Sequence, residues 1–189
     1  MPGIGSNSLI IWCLFRFIQR ELVKRSCLLY NRRMQLEKKV AVLLLEKRKT
    51  VAVAESCSGG LLSHRLTNIP GSSKYFKGAV VAYSNHIKSS ILKVPSSLLR
   101  KYGAVSESIA TQMAKNVRRL FKTDFGIAIT GIAGPTGGTK NKPVGLNYIA
   151  VSTNSKTLCL QCRFKGNRLA IKRQATTQAL KTLLEFLSA

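Results

Sequence analysis

Acidic side chains are scarce in this chain of 189 residues: 7 Asp and Glu stand against 31 Lys and Arg, a formal net charge of +24. That balance favours anionic partners, namely nucleic acid, acidic membrane or a phosphorylated small molecule. The basic residues are spread along the chain rather than gathered in blocks, and aromatic side chains that could stack on bases are few. Both features weigh against a dedicated nucleic-acid binder. They favour a diffusely basic background that steers small anionic substrates.

Histidine is scarcer still. His64 and His86 are the only two, so no triad or metal centre built on several histidines is available. The five cysteines are odd in number and no secretory signal is apparent, which points to a reducing, cytoplasmic setting. Cys159 and Cys162 form a lone C-x-x-C in a strand-like run, and a period of two sends their thiols to opposite faces. No second pair completes a zinc site, so a structural role is expected. The glycine-rich stretch Gly131–Gly138 lacks the G-K-[ST] of a Walker loop. Ser90-Ile91-Leu92-Lys93 matches S-x-x-K with no accompanying K-T-G and reads as chance.

Apolar residues make up 45% of the chain, and its length suits one ordinary domain with a full core and some extra. Residues 1–33 look unlike the rest. An apolar run, Ser8 to Phe15, precedes Arg16, Arg20, Lys24 and Arg25 and is too short to span a bilayer. This basic extension reads either as a membrane-surface helix or as a translation start placed too early, with a domain over 34–189 beginning at Met34.

From Met34 to Lys49, apolar residues recur at helical spacing. A strand at 50–54 then runs into Glu55-Ser56-Cys57-Ser58-Gly59-Gly60 and a helix to about Asn68. A wholly apolar strand, 77–83, is expected at the centre of the sheet. Its polar end, Ser84 to Lys88, opens a short helix, and another follows Pro95. Ser106 is a candidate N-cap for a helix that buries Ile109, Met113, Val117 and Leu120. A third strand, 124–130, delivers the glycine-rich loop. Strands near 144–153 and 156–164 form a hairpin around Asn154-Ser155. A last helix, 167–187, buries Leu169, Ala175, Ala179, Leu180, Leu183 and Leu187. Strands alternating with helices predict a three-layer α/β/α domain with a mixed, mostly parallel sheet.

In such a sheet the carboxyl ends of neighbouring strands converge on one crevice. That would gather Ser56, Tyr83, Lys88 and the Thr130-Gly131 loop. Ser56 is either a nucleophile or a helix cap; Cys57 is a rival nucleophile or a buried thiol. Lys88 is either a general base with a pKa depressed by desolvation or one of many surface lysines. Tyr83 could orient that lysine or relay a proton, and amides of the Ser58-Gly59-Gly60 turn could form an oxyanion hole.

Five segments, in order, carry a resemblance: Ala54–Gly60, Tyr83–Lys88, Gly103–Glu107, Thr130–Pro135 and Lys142–Gly145. Phe164–Arg168 and Arg173-Gln174-Ala175 extend it. The chain resembles the CinA C-terminal family from about Met34 onward. The resemblance implies a nicotinamide-mononucleotide deamidase that releases nicotinate mononucleotide and ammonia, without metal or cofactor. It implies a Ser/Lys dyad of Ser56 and Lys88, with Tyr83 beside the lysine. It also implies a substrate-binding set of Glu55, Ser58, Gly59, Gly60, Asn85, Thr130, Gly131 and Arg168. Self-association is a further implication. Larger members carry an additional N-terminal domain resembling molybdopterin-binding proteins. The pattern departs from the family at Ser58, where Thr is usual, at His86, where an acid is usual, and at Leu146-Asn147, where Thr-Val is common. A non-catalytic protein of this fold, using its basic surface on nucleic acid or membrane, is the alternative expectation.

Overall fold

A computed structural model of the protein describes residues 35–188. The expectations for residues 1–33 lie outside that range. The helices are α1 (Leu36–Glu46), α2 (Leu61–Thr67), α3 (Asn85–Ser90), α4 (Ser96–Tyr102), α5 (Glu107–Phe121) and α6 (Arg168–Ser188). The strands are β1 (Val51–Glu55), β2 (Phe76–Val81), β3 (Phe125–Gly131), β4 (Leu146–Ser152) and β5 (Thr157–Arg163). They form one sheet in the order β2-β1-β3-β4-β5. The β1 pairs with β2 and β3 are parallel, and the β3–β4 and β4–β5 pairs are antiparallel. Hence only β4 runs against the other strands, and the sheet is mixed and mostly parallel. None of the described helices is long and apolar enough to cross a membrane.

Side-chain size alternates along the central strands and sorts the layers. Val51 and Val53 of β1, Ile127 and Ile129 of β3, and Ile149 and Val151 of β4 face one side. There they pack with Val40 and Leu44 of α1, Leu62 and Leu66 of α2, and Ile171, Leu180 and Leu183 of α6. The residues between them, Ala52, Ala54, Ala128 and Ala150, face the other side with Ile109, Met113 and Val117 of α5. Small side chains let α5 lie close to the sheet. At Gly126 a Cβ would collide with the backbone carbonyl of Ala114, so that contact requires glycine.

Three expectations need correction, and a fourth holds for position alone. The strand expected over 77–83, observed as β2, is an edge strand rather than a central one, with Val81 47% exposed. A continuous apolar run reports two covered faces, but carries no information on whether a second strand pairs with it. Leu120 and Leu169 stand exposed at opposite helix ends. In α6 the buried position near the start is Ile171. Ser106 occupies the N-cap of α5, but its hydroxyl donates to Gly103 O at 3.0 Å rather than capping an amide. The C-x-x-C thiols do face opposite layers: Cys162 packs with the α6 side and Cys159 with the α5 side.

Candidate active site

The chain passes from β1 to β2 on one side, then crosses back over β1 to β3, so three parallel strands end together around β1. A crevice at such a switch point is the expected ligand site of an open α/β sheet. A cleft of about 270 Å³ opens there, lined by Ser56, Cys57, Tyr83, Asn85, Lys88 and Arg168 with the Thr130–Gly137 loop.

Hydrogen bonds past the strand ends set the positions. Ser56 N donates to Ile129 O at 2.9 Å, extending the β1–β3 pairing by one residue. Ala82 N donates to Glu55 O at 2.7 Å and does the same towards β2. Ser56 and the Ala82 carbonyl are thereby placed side by side. Ser84 caps α3, its Oγ accepting from Ile87 N at 3.2 Å, and this phase turns Lys88 inward.

Lys88 is 1% exposed. Its Nζ donates to Ala82 O at 2.7 Å and to Ser56 Oγ at 3.0 Å. Burial lowers its pKa from the ordinary 10.5, with the Cys57 thiol acting weakly in the opposite sense. A buried amine held against a hydroxyl, with one N–H already taken by a carbonyl, is able to accept that hydroxyl's proton. Cys57 differs sharply from its neighbour. Burial pushes its thiol up to about 12, and Sγ donates to Asn147 Oδ1 at 3.1 Å. A thiol in that state is a poor nucleophile near neutral pH.

Glu55 is fully buried and faces away from the cleft. Its carboxylate accepts from Gly60 N at 3.0 Å, Leu62 N at 3.1 Å, Ser63 N at 2.8 Å and Ser63 Oγ at 2.6 Å. It therefore caps α2 from the preceding strand, and the direct substrate contact expected of it is corrected. The same bonds revise the expected oxyanion hole. Gly60 N is taken by Glu55, and Gly59 N donates to Ser56 O at 3.1 Å. Neither the Cys57 nor the Ser58 amide donates to another backbone carbonyl among the described residues, although the Cys57 N–H lies against its own sulfur. Ser58 is fully buried, its Oγ has no hydrogen-bond partner among the described residues, and it does not line the cleft.

Tyr83 does not orient Lys88. Its side chain is exposed, and its hydroxyl accepts from Arg168 Nη2 at 2.7 Å. Arg168 Nη1 also donates to Gly134 O at 2.8 Å, so the guanidinium bridges the end of β2 and the glycine-rich loop. Thr130 donates Oγ1 to Ala104 O at 2.8 Å and pins the loop before α5 against β3. Gly131 lies so close to the Asn147 side chain that a Cβ would overlap it. Sequence reasoning missed two side chains. Asn147, noted only as a departure, anchors Cys57; Lys172, one turn along α6 from Arg168, brings Nζ within 3.4 Å of where a Gly59 Cβ would stand.

The family description "CinA C-terminal domain" matches residues 33–187. The chain belongs to that family. A CinA-like protein of Syntrophus aciditrophicus is 50% identical over 155 residues, covering 82% of this chain and 37% of the relative. One from Dictyoglomus thermophilum is 48% identical over 148 residues, 78% of this chain and 36% of the relative. The chain thus spans little more than a third of the length of those CinA-like proteins. Among solved structures, a CinA superfamily protein from Klebsiella pneumoniae superposes with a TM-score of 0.79 at 31% identity, covering 81% of this chain and 96% of that one. The competence/damage inducible protein CihA from Agrobacterium tumefaciens gives 0.77 at 34% identity, with coverages of 82% and 96%. These likenesses include the three-layer fold just described. Of the departures from the CinA pattern, His86 is exposed on α3, whereas Asn147 is fully buried behind Cys57.

Proposed function

We propose that the chain is an amidohydrolase that converts nicotinamide mononucleotide and water to nicotinate mononucleotide and ammonia, with Ser56 as nucleophile and Lys88 as general base and acid. The observation that carries this reading is the 3.0 Å hydrogen bond between Lys88 Nζ and Ser56 Oγ. Donation to Ala82 O fixes one N–H of the neutral amine, and its lone pair takes the Ser56 proton. Ser56 Oγ then bonds to the carboxamide carbon. The developing oxyanion sits against the amides of Cys57 and Ser58. Lys88 passes its proton to the leaving nitrogen, the C–N bond breaks and ammonia departs. Water attacks the acyl-serine with Lys88 again accepting the proton, and release of the carboxylate returns that proton to Ser56.

The cleft, about 270 Å³, lies just under the ~300–1,000 Å³ common for small-ligand sites. It holds the reacting ring and leaves the ribose phosphate at its mouth. There Arg168, already braced by Tyr83 and Gly134, offers a guanidinium to the phosphate. The small anionic nucleotide suits the basic protein around it.

Purified protein assayed for ammonia release against a panel of nicotinamide mononucleotide, nicotinamide riboside and unrelated amides tests the reading. Nicotinamide mononucleotide is expected to be the preferred substrate. Ser56→Ala and Lys88→Ala should each reduce the rate by at least ~10²-fold. Full activity in Ser56→Ala would overturn the mechanism, and preference for another amide would overturn the substrate.

A further inference from the structure

Among the described residues, two cations line the cleft of the candidate active site, Lys88 and Arg168, in a chain whose net charge is +24. A larger concentration of charge lies at the opposite end of the sheet, where β1 and β3 begin and β4 ends. A cleft of about 700 Å³ there is walled by Lys49, the last turn of α5 with Arg118 and Arg119, Lys122, and the β4–β5 loop. An adjoining cavity of about 410 Å³ shares both arginines and the loop, and adds Lys115 and Lys156. Among the described residues, six cations thus line the pair of cavities against two acids, Glu107 and Asp124. Asp124 is already engaged, its carboxylate accepting from Lys49 Nζ at 2.9 Å and from Thr50 N and Oγ1 at 2.9 and 2.8 Å.

Arg118 supplies an independent observation. Its Nε is buried and has no hydrogen-bond partner among the described residues. Its Nη2 makes a long bond, 3.3 Å, to Asn154 Oδ1 in the β4–β5 loop. A buried guanidinium N–H without an acceptor is costly and uncommon in a folded protein. Cations in the last turn of a helix complement its dipole, which would account for Arg118 and Arg119. It does not account for Lys49, which pairs with Asp124, or Lys156, whose ammonium lies 5.6 Å from the centre of the Phe186 ring; two loops bring them to the rim of the same pair of cavities.

We propose that this cleft binds a compact oligophosphate, with the two arginines gripping adjacent phosphate groups and the lysines around the rim neutralising the rest. Arginine matches phosphate oxygens two at a time, which suits it to this role. The cations encircle a hollow rather than forming a stripe, so the geometry fits a short ligand better than a long backbone. The one aromatic residue in the lining, Phe125, is 7% exposed, so no ring face is presented to a base. Recognition runs through phosphates, which a free oligophosphate and the diphosphate of a nucleotide share.

Calorimetric titration of the full chain with tripolyphosphate, ADP and a single-stranded oligonucleotide tests this site. Saturable one-to-one binding of tripolyphosphate is expected. Arg119→Gln combined with Lys122→Asn, both at exposed positions, should weaken it about tenfold or more, the loss of at least one charge-assisted contact. Arg168→Gln, at the other end of the sheet, should leave it unchanged. ADP binding at the tripolyphosphate affinity assigns the site to phosphates alone, and tighter binding assigns it to a nucleotide. Absence of saturable binding overturns the proposal. So does loss on Arg168→Gln but not on the double substitution, or an oligonucleotide that binds more tightly than tripolyphosphate. Because the readout is binding at a remote site, its failure leaves the amidohydrolase reading untouched.

Discussion

Replacing Lys88 by methionine separates a buried, readily deprotonated amine from an ordinary lysine. Methionine has similar length and no branch, so it fills the same space. In the unfolded chain the lysine holds its proton up to the ordinary 10.5, whereas burial makes the folded protein release it at lower pH. Between those two pKa values the unfolded state binds more protons at this residue, so Lys88's contribution to the stability of the parent protein rises with pH. The slope reaches ~1.4 kcal/mol per pH unit inside that window and vanishes outside it. Methionine does not titrate, and its protein lacks the increment.

The offset between the two proteins at a single pH is not diagnostic. Lys88→Met leaves the Ala82 carbonyl without its lysine partner, a loss of ~1–3 kcal/mol that opposes the relief of desolvation. The slope carries the test. Thermal unfolding of both proteins, followed by circular dichroism from about pH 7 to 10.5 at fixed ionic strength, should show Lys88→Met losing ground steadily as pH rises through the window. At ~2–4 °C per kcal/mol for a domain of this size, the separation changes by ~3–6 °C per pH unit. Other lysines titrate in both proteins and cancel in the difference. The Cys57 thiol, raised from 9.0 to about 12, lowers stability with rising pH from about pH 9, but it does so in both proteins and cancels in the difference as well. Parallel curves across the whole range would refute a depressed Lys88 pKa and remove the physical basis for its role as a base.

Three further outcomes follow from the same geometry. Glu55→Gln should cut stability by ~1.5–3 kcal/mol in urea titrations, because an amide cannot accept at both ends from the four donors that start α2. Tyr83→Phe removes the acceptor for Arg168 Nη2; the expected effect is a KM for phosphorylated substrate raised about tenfold with kcat little changed. Cys57→Ala should retain most ammonia-releasing activity, and its inactivation with Ser56→Ala still active would transfer the nucleophile's role to the thiol.

The layers were legible because size and period coincide. Val51, Val53, Ile127 and Ile129 alternate with Ala52, Ala54 and Ala128, which marks both strands and shows that their faces differ. What the pattern leaves out is pairing. The run Phe76–Val81 is apolar whether one strand or two lie beside it, and only the order β2-β1-β3 makes it an edge. Helix ends escaped for a related reason: Leu120 and Leu169 keep the spacing of their stripes but stand exposed at the ends of their helices.

At the site, local order along the chain was enough to nominate Ser56 and Lys88, since both follow strands that end in the same crevice. The polar partners around them were beyond reach, because they are set by contacts distant in sequence. Tyr83 sits five residues before Lys88 and reads as its attendant, yet the fold brings Arg168 across 85 positions to take its hydroxyl. Glu55 adjoins the nucleophile and reads as a site carboxylate, yet alternation along β1 turns it away to close the start of α2. The division has a physical basis. A motif records that residues are needed near one another; which of them faces the ligand depends on which way each strand presents its side chains. Here that orientation gives Ser56 to the cleft and Glu55 to the helix that steadies it.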